Sequence, residues 1–160
     1  DGGLGSNTLV ASADTDWTLR PALLQSADGS TLTTIGVANA RLVGGAGANR
    51  LEVIGWDGRV NLDGAAGDDL FVTSLPILNV VTINDSAGIA DTLRVTGTAN
   101  DDLIVLAENR VASDNKTMTF DGVETLNVGG GMGDDRFVVI DSVTSNINLD
   151  GEGGSDRFQV

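Results

Sequence analysis

Segments in which apolar and polar residues alternate recur along the whole chain, separated by turns rich in glycine and aspartate. Residues 50–53 and 136–139 are alternating segments that follow such a turn, and residues 59–62 and 146–149 are segments that precede one. Alternation with a period of two places every second side chain on one face of a β-strand. Helices are excluded because glycine is too frequent and no i, i+3, i+4 apolar stripe extends over a helix length. The pattern predicts an all-β protein built from short strands.

The turns between these strands repeat at regular intervals. Seven related motifs begin at residues 1, 43, 63, 85, 96, 129 and 150, so the successive spacings are 42, 20, 22, 11, 33 and 21 residues. All the spacings lie close to multiples of about half of 21 residues, which is typical of stacked structural repeats. We predict eight two-stranded rungs of 20–22 residues, beginning near residues 1, 22, 43, 63, 85, 107, 129 and 150. Because a single rung cannot bury its apolar face, we expect the rungs to stack into a parallel β-solenoid of the β-roll or β-helix type.

A longer period of four rungs lies on top of this spacing. The sequence NLDG at residues 61–64 recurs 87 residues later at residues 148–151, and other matches lie 86 residues apart. The period predicts one continuous solenoid of two units, residues 1–84 and residues 85–160, of which the second is incomplete. We therefore expect the chain to be a segment of a longer secreted bacterial repeat protein.

The repeats also predict which side chains stack on one another. Six large apolar residues each lie two positions after the last Asp or Asn of their motif, and we expect them to form a single inner column. They are Leu9, Leu51, Phe71, Leu93, Phe137 and Phe158.

Composition limits the chemistry that the chain can perform. Acidic residues outnumber basic residues 23 to 9, which gives a formal net charge of −14, so no basic patch for nucleic acid is expected. The absence of cysteine excludes disulfides, zinc–thiolate sites and thiol nucleophiles. No apolar run approaches the length of a membrane span, so membrane insertion is not expected. A surface this acidic points to a cation-rich medium or to specific metal ligation.

The position just before each post-turn strand is the main candidate for metal ligation. Stacking would bring the carboxylates at this position close together, which is unfavourable unless a cation lies between them, and calcium binds carboxylate and carbonyl oxygens. We predict paired calcium sites at Asp69 with Asp91 and at Asp135 with Asp156. The further candidates are Asp102, on the opposite edge of the stack, and Asn49 as a weaker neutral ligand.

The alternative is that these aspartates only cap turns through hydrogen bonds to the backbone, without a metal. The first Asp of a motif is expected to form the turn rather than to bind a metal, and this group comprises Asp63, Asp85 and Asp150. The Asp one position before a predicted ligand is expected to face solvent, and this group comprises Asp68, Asp101 and Asp134.

The motifs GAAGDDLF, GGMGDDRF and GEGGSDRF resemble the GGxGxDxUx repeats of RTX (hemolysin-type) calcium-binding domains. The longer pattern also resembles tandem units of very large bacterial surface and adhesin-like proteins. The resemblance implies a β-roll that holds calcium between successive turns and an extracellular or cell-surface location. It departs from the family in that the motifs occur mostly once per rung, and the rungs near residues 22 and 107 have none.

The predicted function is a calcium-stabilised structural repeat, acting as a spacer or filament segment. Its expected partners are further copies of the repeat, or the same chain end to end, because open solenoid ends expose unpaired strand edges. An enzyme is not expected because no acid–base or nucleophile constellation stands out from the turn repeat. The alternative function is an adhesion module that binds a cell-surface glycan or another partner through a sheet face or the Trp56 turn. Trp17 is expected to pack in the core or at its edge.

Overall fold

The protein is all-β. The structure, a computed structural model, describes residues 2–140 and 144–160, and these contain seventeen strands and no helix. The strands are β1 (Asn7–Ser12), β2 (Trp17–Arg20), β3 (Leu23–Ser26), β4 (Thr31–Thr33), β5 (Val37–Val43), β6 (Arg50–Val53), β7 (Arg59–Asp63), β8 (Leu70–Ser74), β9 (Val81–Asn84), β10 (Thr92–Thr98), β11 (Leu103–Ala107), β12 (Arg110–Ser113), β13 (Lys116–Asp121), β14 (Thr125–Gly131), β15 (Arg136–Val139), β16 (Asn146–Asp150) and β17 (Arg157–Gln159). Within the described part of the chain, nothing helical has the length and apolarity needed to cross a membrane.

The strands form two mixed sheets. Sheet 1 has nine strands in the order β1-β5-β7-β9-β13-β12-β11-β15-β17, and sheet 2 has eight in the order β16-β14-β10-β8-β6-β2-β3-β4. From β5 to β10 the chain changes sheet at every turn, so each strand pairs in parallel with the strand two positions later. The alternating pattern of each strand turns one face towards the core between the sheets. Strands such as β7 accordingly alternate between buried and more accessible positions.

Two stretches depart from the predicted rungs. We expected parallel rungs near residues 22 and 107, but β2-β3-β4 and β11-β12-β13 are antiparallel meanders, each lying in one sheet. These stretches lack a Gly/Asp motif, and tight reversals at residues 21–22 and 108–109 join their first two strands instead. Ala22 and Glu108 adopt positive φ values of 59° and 49° at these reversals. The prediction of eight parallel rungs is therefore wrong at these two places.

The meanders also change which sheet a repeated strand joins. From β1 to β10 the chain crosses between the sheets seven times, an odd number, so β1 lies in sheet 1 whereas β10 lies in sheet 2. The single inner column that we predicted is consequently split between the sheets. Phe71 lies in register between Leu51 and Leu93 in sheet 2, whereas Phe137 pairs with Phe158 in sheet 1.

One continuous apolar core lies between the sheets. Phe71 and Phe137 are its largest fully buried side chains, and Trp17 packs against it partly buried, as we expected. Trp56 also lies in this core with 6% of its surface exposed, and its indole Nε1 is buried without an acceptor among the described residues. This burial contradicts the expectation that Trp56 is a surface contact for a glycan or partner.

Candidate cation site

Side chains of successive motif turns form a hydrogen-bonded ladder on one edge of the stack. The backbone N–H of Asn49 donates to Asp69 Oδ1 over 2.6 Å, and the N–H of Asp69 donates to Asp91 Oδ1 over 2.7 Å. The N–H of Asp91 donates to Glu124 Oε2 over 2.8 Å, which ends the series. We call Asn49, Asp69 and Asp91 the first Asp ladder. Its geometry brings Asp69 beside Asp91.

A second Asp ladder, formed by Asp102, Asp135 and Asp156, lies on the opposite edge. The N–H of Asp102 donates to Asp135 Oδ1 over 2.8 Å, and that of Asp135 donates to Asp156 Oδ1 over 2.9 Å. Turns of the first ladder lead from sheet 1 to sheet 2, and turns of the second lead back. Asp102 thus lies across the stack from Asp91, and Asp135 and Asp156 lie on the same edge as Asp102.

Glycines allow the turns of neighbouring rungs to approach this closely. Gly67 and Gly133 have φ values of 118° and 111°, which favour glycine. A Cβ on Gly67 would lie 2.6 Å from the carbonyl oxygen of Gly47, and one on Gly133 would lie 2.7 Å from that of Asn100. Both glycines therefore supply the positive φ of the turn and the close packing of neighbouring backbones.

Three carboxylates meet beside the first Asp ladder. Asp69, Asp85 and Asp91 each place a carboxylate oxygen within 4.8 Å of the others, and no other such group of three occurs among the residues described. Asp69 and Asp91 are 2% and 0% exposed. Asp69 Oδ2, Asp85 Oδ1 and Asp91 Oδ2 are buried, and none of them has a hydrogen-bond donor. We call this group the three-Asp cluster.

Backbone groups line the same small space. A Cβ on Gly64 would overlap Asp69 Oδ2 and lie 2.6 Å from Asp85 Oδ1, so only glycine leaves room for both carboxylates. A Cβ on Gly88 would overlap Asp91 Oδ2 and lie 2.6 Å from the carbonyl oxygen of Gly67. The Gly67 carbonyl oxygen and Asp91 Oδ2 therefore both lie beside Gly88.

Burial makes the cluster electrostatically unfavourable as it stands. It raises the pKa of Asp69, against the opposing effect of the hydrogen bond from Asn49, and the nearby Asp91 charge adds to the rise. Burial, followed by repulsion from Asp91, raises the pKa of Asp85 to about 7. A bound cation would remove this penalty by neutralising the carboxylates.

The second Asp ladder is a less complete version of this arrangement. Asp135 Oδ2 is buried without a donor, and burial raises the pKa of Asp135. Asp102 differs because its Oδ2 accepts hydrogen bonds from both the N–H and the hydroxyl of Thr98, over 2.7 and 3.0 Å. The paired site predicted at Asp135 and Asp156 therefore has neighbouring ladder residues but no third carboxylate among the described residues.

Asn49 occupies the ladder without joining the cluster. Its Oδ1 accepts from the N–H of Gly45 over 2.6 Å, and its Nδ2 donates to Asp14 Oδ1 over 3.1 Å. Both ends of the amide are thus engaged in hydrogen bonds. Asn49 takes part in the ladder through its backbone N–H alone, and its side-chain oxygen caps its own turn.

Asp85, which we predicted to form a turn, belongs to the three-Asp cluster instead. Asp63 and Asp150 do form turns, because their Oδ1 atoms accept from the N–H groups of Ala65 and Glu152. Ser86 follows Asp85, whereas glycine follows Asp63 and Asp150, and the Asp85 side chain turns into the cluster instead. The absence of a glycine after Asp85 is the sequence feature that distinguishes it from Asp63 and Asp150. Asp68, Asp101 and Asp134 are exposed, as predicted.

Comparison of the chain with protein-family models, curated proteins and solved structures found no match in any of the three.

Proposed function

We propose that this chain is a calcium-stabilised β-solenoid repeat of RTX type, serving as a spacer or filament segment of a secreted bacterial surface or adhesin-like protein. The observation that carries the proposal is the three-Asp cluster, in which three buried carboxylate oxygens face one another without a hydrogen-bond donor. The stacking of motif turns in parallel, with the motif aspartates in a ladder, supports the solenoid and the RTX resemblance.

The two oxygens of each ladder aspartate have different roles, which favours a cation over simple turn capping. Oδ1 of Asp69 and of Asp91 accepts a backbone N–H from the preceding rung. At Asn49 and Asp102 a side-chain oxygen also accepts an N–H of its own turn, from Gly45 and Thr98, whereas Oδ2 of Asp69 and of Asp91 receives no such bond. The second oxygen remains buried beside other carboxylates, an arrangement that is costly unless a positive charge compensates it.

The donor set favours calcium among the common cations. Every ligand in the cluster is a carboxylate oxygen, and the chain contains no histidine or cysteine for softer metals. Calcium accepts six to eight oxygens in flexible geometry, whereas magnesium requires a near-ideal octahedron. Waters would complete the shell.

Calcium at this position would couple folding to the medium. The cluster joins the turns of two neighbouring rungs, so an ion bound there stabilises the stacked state and not the unfolded chain. A medium rich in calcium would therefore rigidify the repeat, which suits a spacer on a cell surface. The charge of −14 is compatible with such a medium.

Calorimetric titration of EGTA-treated and dialysed protein with CaCl₂ tests the proposal. We expect saturable binding of one ion and a melting temperature that rises with calcium concentration. Asp85→Asn should weaken the affinity by about tenfold or more, because it removes one of three charged ligands.

Asp63→Asn is the matched control, since Asp63 holds the same motif position in the preceding turn but lies outside the cluster. Its affinity should stay within about twofold of the parent chain. A calcium-independent melting temperature, or equal weakening by both substitutions, would contradict a cation site at the three-Asp cluster.

A further inference from the structure

The three-Asp cluster lies at the point where the strand pattern of the chain begins to repeat. Asp69 precedes β8, whereas Asp85 and Asp91 belong to the turn between β9 and β10. Strands β1–β8 consist of one strand, a three-stranded meander and four single strands that alternate between the sheets. Strands β10–β17 repeat this order. The cluster therefore connects the end of one repeat to the start of the next.

The C-terminal end of the stack reproduces the first half of this junction. β17 pairs with β15 in the register that β8 has with β6, so Phe158 corresponds to Phe71. β16 pairs with β14 as β7 pairs with β5. Asp156 accepts from the N–H of Asp135, just as Asp69 accepts from that of Asn49.

The second half of the junction is missing at this end. Phe71 is 0% exposed because β10 lies beside β8, whereas Phe158 is 49% exposed at the open edge. The backbone of Asp69 donates to Asp91 Oδ1 and accepts from the N–H of Thr92. Within residues 2–140 and 144–160, the N–H and C=O of Asp156 have no counterpart to these bonds.

We propose that the open edge formed by β16 and β17 binds the start of another copy of the repeat, and that Asp156 completes a second cation site with it. The occupant is a strand–turn–strand segment equivalent to residues 81–98. Its first strand pairs with β16 as β9 pairs with β7, and its second strand pairs with β17 as β10 pairs with β8. This inference rests on the proposed calcium site.

The geometry of the internal junction defines the contacts of the new one. The incoming equivalent of Asp91 accepts the free N–H of Asp156, and the incoming equivalent of Asp85 supplies the third carboxylate. Gly151 lies against Asp156 Oδ2 and leaves the space that Gly64 leaves at Asp69. The strand edge supplies affinity through backbone hydrogen bonds, as in other β-augmentation complexes. Calcium makes the association dependent on the medium.

An extended chain tests this proposal directly. Because Phe158 corresponds to Phe71, Val160 corresponds to Thr73, and a copy of residues 74–98 is appended after Val160. We expect calcium stoichiometry to rise from one ion per chain to two, and amide exchange in the appended strands to slow by about a hundredfold or more. Asp156→Asn in the extended chain should return the stoichiometry to one.

The controls separate this proposal from the proposed function. One ion in both the parent and the extended chain, with an appended segment that exchanges freely, would overturn the docking edge and leave the first site intact. If the parent chain binds no calcium, the proposed function is contradicted. Slow amide exchange of the appended strands in EGTA would then still support the strand pairing, and free exchange would contradict it.

The same segment supplied as a free peptide distinguishes the two sources of the occupant. Binding of the peptide in calcium assigns the edge to association between separate molecules as well. Protection only in the fused form assigns it to a following copy within one chain, because fusion supplies a high effective concentration.

Discussion

At the scale of single residues, the two carboxylate oxygens of Asp69 have different surroundings. Asn49 and Asp69 use Oδ1 differently: Asn49 Oδ1 accepts the N–H of Gly45 in its own turn, whereas Asp69 Oδ1 accepts the N–H of Asn49 in the neighbouring rung. They also differ in the second side-chain atom: the Asn49 amide donates to Asp14, whereas Asp69 Oδ2 faces other carboxylates. Asp69 therefore contributes an unpaired oxygen to the cluster, whereas Asn49 contributes none.

Asp69→Asn should have opposite effects on stability in the presence and absence of calcium. In EGTA it removes a buried charge from beside Asp91, so the melting temperature should rise by about 2–4 °C. In calcium it removes a ligand, so the melting temperature should fall by a similar or larger amount. Thermal unfolding followed by circular dichroism in both buffers checks the two signs, and a change of the same sign in both would contradict the prediction.

The raised pKa values predict how the metal-free chain responds to pH. Burial raises the pKa of Asp85 from 3.8 to about 7, so the folded state holds a proton that the unfolded state releases in this range. Stability in EGTA should therefore fall as pH rises from about 4 to about 7 and then level off. Asp69 and Asp135, whose pKa values are raised in the same direction, add to the trend.

Denaturant unfolding at pH 5 and pH 8 measures this trend. Saturating calcium should remove or reverse this trend, because calcium bound to the folded state stabilises the charged carboxylates. Asp85→Asn should flatten the profile in EGTA. A metal-free chain that becomes more stable from pH 5 to pH 8 would contradict the pKa argument.

At the scale of strands, one repeated position has different burial in the interior and at the end of the stack. Phe71 and Phe158 follow the same motif, and their flanking strands pair in the same register. Phe71 is fully buried, whereas Phe158 stacks on Phe137 at 4.8 Å between ring centroids and remains half-exposed. The difference follows from the number of neighbouring strands, not from the local sequence.

Phe71→Ala should destabilise the chain by about 3–5 kcal/mol, the usual cost of deleting a buried aromatic side chain. Phe158→Ala is the matched control and should cost about 1–2 kcal/mol, because half of its surface is already exposed and only one ring contact is lost. Urea unfolding of both variants checks the ratio, and equal losses would contradict the assigned end position of β17.

The meanders show where strand patterning predicts a strand but not its pairing. Residues 116–121 alternate as other strands do, and β13 buries Met118 and Phe120. The sequence predicted a strand region there, but it did not show that β12 and β13 pair antiparallel within one sheet. Alternation specifies the buried face, whereas partner choice depends on the turn that precedes the strand.

At the scale of the whole molecule, charge determines how the stack responds to ions. With a net charge of −14, added NaCl should stabilise the metal-free chain by screening self-repulsion. Calcium at equal ionic strength should raise the melting temperature further, because it occupies a specific site. Magnesium should have a smaller effect than calcium. Equal effects of sodium, magnesium and calcium at matched ionic strength would indicate screening alone.

The sequence by itself determined the features that depend on local chemistry. Alternation identified the strands, Gly/Asp motifs identified most turns, and regular spacing placed the motif aspartates in ladders beside one another. Positive φ at Gly67 and Gly133 was predictable because few other residues tolerate it. These features are local because each is set by a few neighbouring residues.

Only the tertiary structure decided the features that depend on long-range pairing. An odd number of crossings between sheets determined which sheet each strand joins and moved the second Asp ladder to the other edge. Packing of one turn against the turn of the neighbouring rung brought Asp85 and Asp91 to Asp69, and packing between the sheets buried Trp56 in the core. The physical reason is that strand neighbours and side-chain burial are properties of the assembled stack. The sequence of one repeat specifies its own conformation but not the strands with which it pairs.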